Sequence, residues 1–426
     1  MSRIVVTTIG SLGDLHPIIA IALELRQRGH DIVFATIKNY RAKIEALEFE
    51  FHALRPDRIS PEDTEMMALI MDLQKGPERV IKDYLLANVR ETYTYLTNAA
   101  QDADFIVTAE LVYAARPIAE KLGIQWAFCA LAPTSFFSAY DPPVLPAFPL
   151  LAKLRVFGYG VNQGIINFAK FATRSWGEPM HQLRQELGLA PIGNPVIEDK
   201  FSPYLNLALF SSALATAQPD WPTNTIVTGF PFYDRKQEGA GLAPELQHFL
   251  DSGDPPIIFT LGSSAVFSPG NFYTESVQAV QQLNRRAVLL IGKNSPPEDL
   301  PADIIALDYV PYSEIFPYAC AIVHQGGIGT TGQALRAGRP TLVVPYSHDQ
   351  PDNAARVARL GTSRTIPRKQ YLASRVAHEL RELLENPNYA TKAAEIGRII
   401  QAENGVAVAC DAIEKQLRQE RQKFQD

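Results

Sequence analysis

The sequence predicts two doubly wound α/β domains in tandem. Short apolar strands alternate with helical stretches along most of the chain. The series of strand, glycine-bearing turn and helix starts twice, at Ile4 and again at Pro256. The length of 426 residues, at about 150 per domain, suits two or three domains, each with room for its own core.

The elements follow in order. A strand from Ile4 to Ile9 leads through the turn GSLGD into a helix expected from about Pro17 to Arg28. Gly29 stops it, and a second strand runs from Asp31 to Ile37, which completes a parallel βαβ unit. Helical patterns cover residues 62–74 and 77–100. Strands at Phe105 to Thr108 and Trp126 to Ala130 then flank a helix through Ile118 to Leu122. In the second half IIFTLGSS repeats the opening, followed by a helix at Glu275 to Asn284 and strands at Ala287 to Ile291, Ile304 to Leu307, Ala321 to His324 and Thr341 to Val344. DRKQEGAGLAP is polar, with two glycines and a proline, and marks a linker. The domains expected are 1–233, a linker 234–244, and 245–405, with a cleft between the two. A polar C-terminal helix within 406–426 either packs back on the first domain or frays.

Composition narrows the function. The chain is 46% apolar and 20% charged, an ordinary globular balance. Forty basic against 46 acidic residues give a net charge of −6, so no global field draws nucleic acid or an anionic membrane. Cys129, Cys320 and Cys410 are far apart and form no CxxC or Cys/His pattern, which points to a reducing cytoplasm and no structural zinc. The opening strand is too short for a signal segment, and no 18-residue apolar run follows. No GxxxxGK[ST] occurs. The first turn, with Gly10 and Gly13, does not match GxGxxG although Asp31 lies where a ribose-binding acid would be expected. Asp102 and Asp104 form a DxD but read as solvated surface acids, so no metal is expected.

Three segments carry chemistry. HQGGIGTTGQALRAG, from His324 to Gly338, joins a strand to a helix through Gly326, Gly327 and Gly329. It would leave the N–H groups of Gly329, Thr330 and Thr331 free at a helix N-terminus, a site for a diphosphate, with His324 adding an imidazole donor. A tight turn that merely needs glycine accounts for the same residues. Asp14 follows the first strand, at the sheet edge where open α/β folds bind ligands. It suits a general base, but a helix cap is the commoner role for an Asp so placed, and His16 competes for the base role. YSHDQPDN, from Tyr346 to Asn353, gathers hydroxyl-reading side chains that would also serve a turn.

Taken together, DYVPYSEIFPYACAIVHQGGIGTTGQALRAGRPTLVVPYSHDQPDNAARVARLG, from Asp308 to Gly361, resembles the donor signature of the GT-B nucleotide-sugar glycosyltransferases of family 1. IGSLGDLHP and QPDWPTNTIVTGFPFYD are similar to the bacterial and sterol-type branch. APTSFFSAYDPPVLP completes a likeness to its rhamnosyltransferases. The resemblance implies two Rossmann-like domains facing each other across a cleft. It assigns the base to Asp14, pyrimidine stacking to Tyr309, and the base edge to the Val310 backbone. Diphosphate contacts fall to Ser263, His324, Gly327, Gly329 and Thr330, and sugar hydroxyls to Asp349 and Gln350. Gln333 stands where many relatives have a ribose-binding Glu, and Tyr312 where plant enzymes have Gln.

The reaction implied is an inverting, metal-independent transfer of a hexose from a UDP- or dTDP-sugar to a hydroxyl of a hydrophobic small molecule or lipid, with no cofactor. A GT-B sugar-nucleotide epimerase and a non-catalytic nucleotide-sugar-binding protein are the alternatives. The acceptor is expected against Glu110, Phe136, Phe137 and Tyr140. The aromatic stretch Phe136 to Trp176, with Lys153, Arg155, Lys170 and Arg174 interleaved, suits an apolar acceptor pocket, peripheral contact with the inner membrane face, or plain core packing. The sequence sets no oligomeric state.

Overall fold

The computed structural model describes residues 1–57, 63–234 and 242–423. They form two compact units, each built on a wholly parallel sheet. In the first unit β1 (Arg3–Thr8), β2 (Asp31–Ile37), β3 (Glu50–Leu54), β4 (Phe105–Ala109), β5 (Gln125–Ala130), β6 (Leu205–Ala208) and β7 (Thr225–Val227) lie in the order β3-β2-β1-β4-β5-β6-β7. In the second, β8 (Ile257–Thr260), β9 (Ala287–Leu290), β10 (Ile304–Leu307), β11 (Ala321–His324), β12 (Thr341–Val343) and β13 (Ser363–Thr365) lie in the order β10-β9-β8-β11-β12-β13. Each order reverses once, between β1 and β4 and between β8 and β11. Such switch points open a crevice at the carboxyl ends of the strands, where ligands bind in this architecture.

Near-continuous apolar strands are what a parallel sheet covered on both faces requires. Ile257 and Phe259 enter one core of the second unit while Ile258 enters another on the opposite face, the two-residue alternation of a strand. β3, β7 and β13 escape the sequence pattern because each lies at or beside a sheet edge and is only partly buried, so none presents a continuous apolar run, and β6 carries Asn206 in its middle.

The first helix, α1 (Leu12–Gln27), begins five residues before the expected Pro17. Ser11 and Asp14 form a capping box, and Pro17 lies inside the helix. Residues 77–100 are not one helix either. Short π and 3₁₀ turns precede α3 (Val89–Ala100), itself preceded in the chain by α2 (Thr64–Ile70). Later helices used below are α4 (Tyr159–Ala172), α5 (Ile328–Arg336), α6 (Gln350–Arg359) and α7 (Gly405–Lys423).

The units do not follow the expected cuts. The first comprises Met1–Ser60, Lys75–Tyr233 and Glu403–Asp426, the second Pro61–Gln74 and Asp234–Ala402. A continuous domain 1–233 is therefore corrected. Met71 is buried in the second unit's core beside Ile257, Phe259 and Phe272, and Ser347 Oγ donates to the Asp72 carbonyl at 2.8 Å. The boundary expected at 405 moves to 402, since Ser211 Oγ donates to Glu403 Oε1 at 2.8 Å within the first unit. Residues 235–241 of the expected linker lie outside the described residues. α7 packs on α1, placing Cys410 and Ile413 in the core with Ile18 and Ile21. Arg28 pairs with Asp411 and Glu414 at 2.5 and 3.0 Å.

Candidate functional site

At the switch point of the second unit, β11 ends in His324, which is fully buried. Its Nδ1 accepts the Gly326 N–H at 3.0 Å, so the proton of the neutral ring belongs on Nε2 by assignment from the hydrogen bonding. Burial pushes its pKa down to about 3. Nε2 has no partner among the described residues. A buried donor without an acceptor costs stability.

The turn after His324 exposes more donors. Gly326 sits at φ 89, and a Cβ there would lie 2.8 Å from Val343 Cγ1 and 3.1 Å from the Gln350 carbonyl, so glycine is required. α5 starts after Gly327, which supplies no side-chain cap. The Ile328, Gly329 and Thr330 N–H groups therefore have no helical acceptor. Thr331 was expected among the free donors, but its N–H bonds the Gly327 carbonyl at 2.9 Å, and Ile328 takes its place. Above Gly329 the nearest 4 Å is empty. Unfilled amides at the positive end of a helix dipole favour a phosphate.

Other elements close round this turn. Ser263 lies half-buried in the loop after β8, and the Gln325 side chain passes against Gly262 and Gly327 to meet Thr330 Oγ1 at 3.4 Å. Asn353 Nδ2 donates to the Gly326 carbonyl and to Asp349 Oδ2 at 2.9 and 2.7 Å, tying the loop before α6 to the turn after β11. Tyr309 is 69% exposed, a flat aromatic surface, while the adjacent Val310 is buried. Tyr312 stacks on Phe316 with centroids 4.5 Å apart and shares a hydrogen bond with Thr260 at 2.8 Å.

At the switch point of the first unit, the carboxylate of Asp14 folds back over Gly10 (φ 140), where a Cβ would come within 2.4 Å of Oδ2. Oδ2 accepts the Ser11 N–H and O–H at 2.7 and 3.0 Å. Oδ1 takes no hydrogen bond from the described residues. The cap thus uses one oxygen of the carboxylate and leaves the other without a partner among the described residues. Asp14 keeps some solvent access but is surrounded by protein on most sides, and its pKa is pushed up to about 6. Burial is the main cause and Glu110 adds to it, while the Ser11 hydrogen bonds oppose it.

His16 is occupied differently. Its Nε2 lies 2.9 Å from Lys43 Nζ, and its ring 5.1 Å from that of Tyr233. Burial first and the lysine second push its pKa down to about 4, so the ring is neutral and Nε2 is already accepting a proton donor.

Residues 4–134 match the glycosyltransferase family 28 N-terminal domain, and residues 275–407 the erythromycin biosynthesis protein CIII-like C-terminal domain. The chain is 30% identical, over 97% of both proteins, to the O-mycaminosyltylonolide 6-deoxyallosyltransferase of Streptomyces fradiae. It belongs to the GT-B glycosyltransferases. A sterol 3-beta-glucosyltransferase of Komagataella phaffii is 28% identical over the whole chain, which spans 36% of that longer protein. The solved glycosyltransferase of kitacinnamycin superposes with a TM-score of 0.74 at 21% identity, over 97% of this chain and 99% of that one. This glycosyltransferase is a hexosyltransferase like its relatives, so transfer stands and the epimerase and pure-binding classes give way.

Not every expected residue of the glycosyltransferase faces open space. Gln350 Oε1 is taken by the Tyr346 and Ser347 N–H groups at 2.8 and 3.1 Å, leaving only its amide nitrogen for a sugar hydroxyl. Gln333 Nε2 donates to Asp234 Oδ1 at 3.3 Å while its buried Oε1 has no partner. Glu110 accepts from Ser135 Oγ and the buried Lys200 ammonium, so its carboxylate is already paired within the fold. Phe136 is corrected to a core residue: it is buried and stacks on Trp221 at 3.9 Å and Phe201 at 5.5 Å. Phe137 is half-buried beneath the Lys200 ammonium, and Tyr140 is exposed. Sequence reasoning missed Gln325 and Asn353 as organisers of the turn, though glycines at 262, 326 and 327 signal that something packs closely there. It had no signal for Asp72, distant in the chain from the Ser347 it holds.

Proposed function

We propose that the enzyme inverts the anomeric centre while moving a hexose from a UDP- or dTDP-sugar to a hydroxyl of an apolar natural-product, sterol-like or lipid acceptor, without a metal. Asp14 Oδ1 accepts the acceptor's hydroxyl proton. The oxygen bonds to the anomeric carbon as the bond from that carbon to the diphosphate oxygen breaks, and the nucleoside diphosphate leaves with the electron pair. The amides of Ile328, Gly329 and Thr330 and the His324 Nε2–H would hold the growing charge, preorganised and shielded from water. Tyr309 offers its face to the pyrimidine, and Asp349 with the Gln350 amide nitrogen reads the sugar.

The observation that carries this reading is the buried, unpartnered Nε2–H of His324 beside uncapped helix amides. Near-neutral titration of Asp14 supports the base role, because a general base works best when its pKa lies close to working pH. The named relatives support the acceptor class. Three cysteines with no disulfide among the described residues suit a reducing cytoplasm.

The test is to incubate the protein with UDP-glucose, dTDP-glucose or dTDP-rhamnose and a panel of macrolide, sterol and hydroxy-fatty-acid acceptors. A product heavier by one hexose, with inverted anomeric configuration by NMR, is expected, and in undiminished yield in EDTA. Loss of turnover on chelation, restored by magnesium or manganese, would sink the metal-free mechanism. Retained configuration would remove the single displacement.

A further inference from the structure

The stretch that carries α2, between β3 and α3, folds into the second unit, and its end meets one particular loop there. Met71, the residue after α2, is buried in that unit's core beside Ile257 and Phe272, which fixes where the helix stops. The last carbonyls of a helix have no donor within it and carry the negative pole of its dipole. Here the donors come from the loop before α6. The His348 imidazole donates to the carbonyl of Ile70, the last residue of α2, and Ser347 Oγ donates to the Asp72 carbonyl two residues on, at 2.8 Å.

The loop held in this way carries Asp349 and Gln350. Its backbone needs holding, because His348 sits at φ 57, a left-handed conformation uncommon for residues other than glycine. From its own helix the loop is fixed by Gln350 Oε1, which accepts the Tyr346 and Ser347 N–H groups, and by Asn353 Nδ2, which meets Asp349 Oδ2 at 2.7 Å. From elsewhere in the chain it is gripped by the carbonyls of Ile70 and Asp72, and the Tyr346 hydroxyl donates to the Pro269 carbonyl at 3.2 Å. Ser347 is fully buried, whereas Asp349, two residues on, is only half-buried. The grip therefore falls beside the side chains assigned to the sugar and not on them.

We propose that residues 70–72 are positioning residues for the donor sugar: by holding Ser347 and His348 they keep Asp349 and the Gln350 amide where they meet sugar hydroxyls, so that a segment from between β3 and α3 sets part of the sugar affinity. This deepens the transferase reading and rests on it. That reading gives the nucleotide to His324, the α5 amides and Tyr309, so loosening the clasp should weaken the hold on the sugar and spare the nucleotide.

The experiment is calorimetry on the full chain with UDP and dTDP, and with UDP-glucose, dTDP-glucose and dTDP-rhamnose. Ser347→Ala with His348→Asn removes both bonds from the loop side and keeps at 348 a residue that tolerates a left-handed backbone. Met71→Ala loosens the same clasp from the helix side without touching the loop, and should lower the melting temperature as a core cavity does. In both variants the sugar nucleotide that the wild type binds is expected to lose roughly three- to tenfold in affinity, with UDP and dTDP held within about twofold. Unchanged sugar-nucleotide affinity in either variant overturns the proposal. So does a loss that UDP and dTDP share in full, which would make the clasp structural only. A wild type that binds none of these ligands removes the transferase reading and this proposal with it, so the wild-type titration tells the two failures apart.

Discussion

The turn after β1 and the turn after β11 each flank the point where their sheet reverses, on opposite sides of it, and both lead into helices, yet they are finished in opposite ways. At the first, the helix supplies its own anion: the Asp14 carboxylate closes a capping box with Ser11. At the second, the N-cap is Gly327 and no side chain fills the amides. A helix N-terminus attracts negative charge in either case. Where the sequence provides the charge, the result is a rigidly placed carboxylate with one oxygen to spare. Where it withholds it, the amides of Ile328, Gly329 and Thr330 are left without a side-chain acceptor.

The sharpest way to break this contrast is Asp14→Asn, which keeps an oxygen for the Ser11 donors but removes proton acceptance. Turnover should fall by about 10²–10⁴ with donor affinity and melting temperature little changed; near-normal turnover would remove Asp14 as base. In the wild type, kcat/KM should fall as pH drops through about 6, because the base is then protonated. Stability runs the other way. The folded state holds this proton more tightly than the unfolded chain, whose Asp titrates at 3.8. Raising pH from about 4 to 6 therefore costs stability, and Asp14→Asn should flatten that part of the melting-temperature profile.

The second turn can be converted toward the first. Gly327→Asp would give α5 the carboxylate cap it lacks, with only the flexible end of Gln325 to displace. Affinity for UDP and dTDP should drop about tenfold or more while the melting temperature holds or rises; unchanged affinity would place the diphosphate elsewhere. His324→Ala should weaken both nucleotides by about 1.5–3 kcal/mol, the value of a hydrogen bond to a charged group. Equal affinities in calorimetry would return His324 to a structural role. The smallest effect is expected from His16→Ala, a few-fold in turnover, since its ring already accepts from Lys43. Abolished turnover at unchanged stability would exchange the roles of His16 and Asp14.

The same two turns show what sequence could deliver. Both were visible as strand, glycine and helix, because local patterns encode local geometry. The start of α1 was misplaced because Pro17 suggested a first helical position, whereas Ser11 and Asp14 already spelled the box. The Gln350 amide oxygen looked available until the fold turned it onto the Tyr346 and Ser347 amides. Phe136 looked like lining because an aromatic residue reads alike in a pocket and a core, and only Trp221 and Phe201 beside it decide. Nothing local announces that the Asp72 carbonyl will hold Ser347, since that contact exists only once two distant stretches have folded together.

The membership of Met71 in the second unit bears on how the protein is made. Its core partners begin at Ile257, so at about 5–20 residues per second a ribosome needs roughly 10–40 s to supply them after α2 emerges. Through that interval α2 has no home, and the first unit, whose own core includes Ala409 and Ile413 of α7, cannot be completed either. Neither unit is finished until the far end of the chain arrives, so an exchange of halves between relatives at residue 234 would set both α2 and α7 of each product against a core from the other parent. A graft that respects the physical units must carry residues 63–74 with the second and 403–423 with the first.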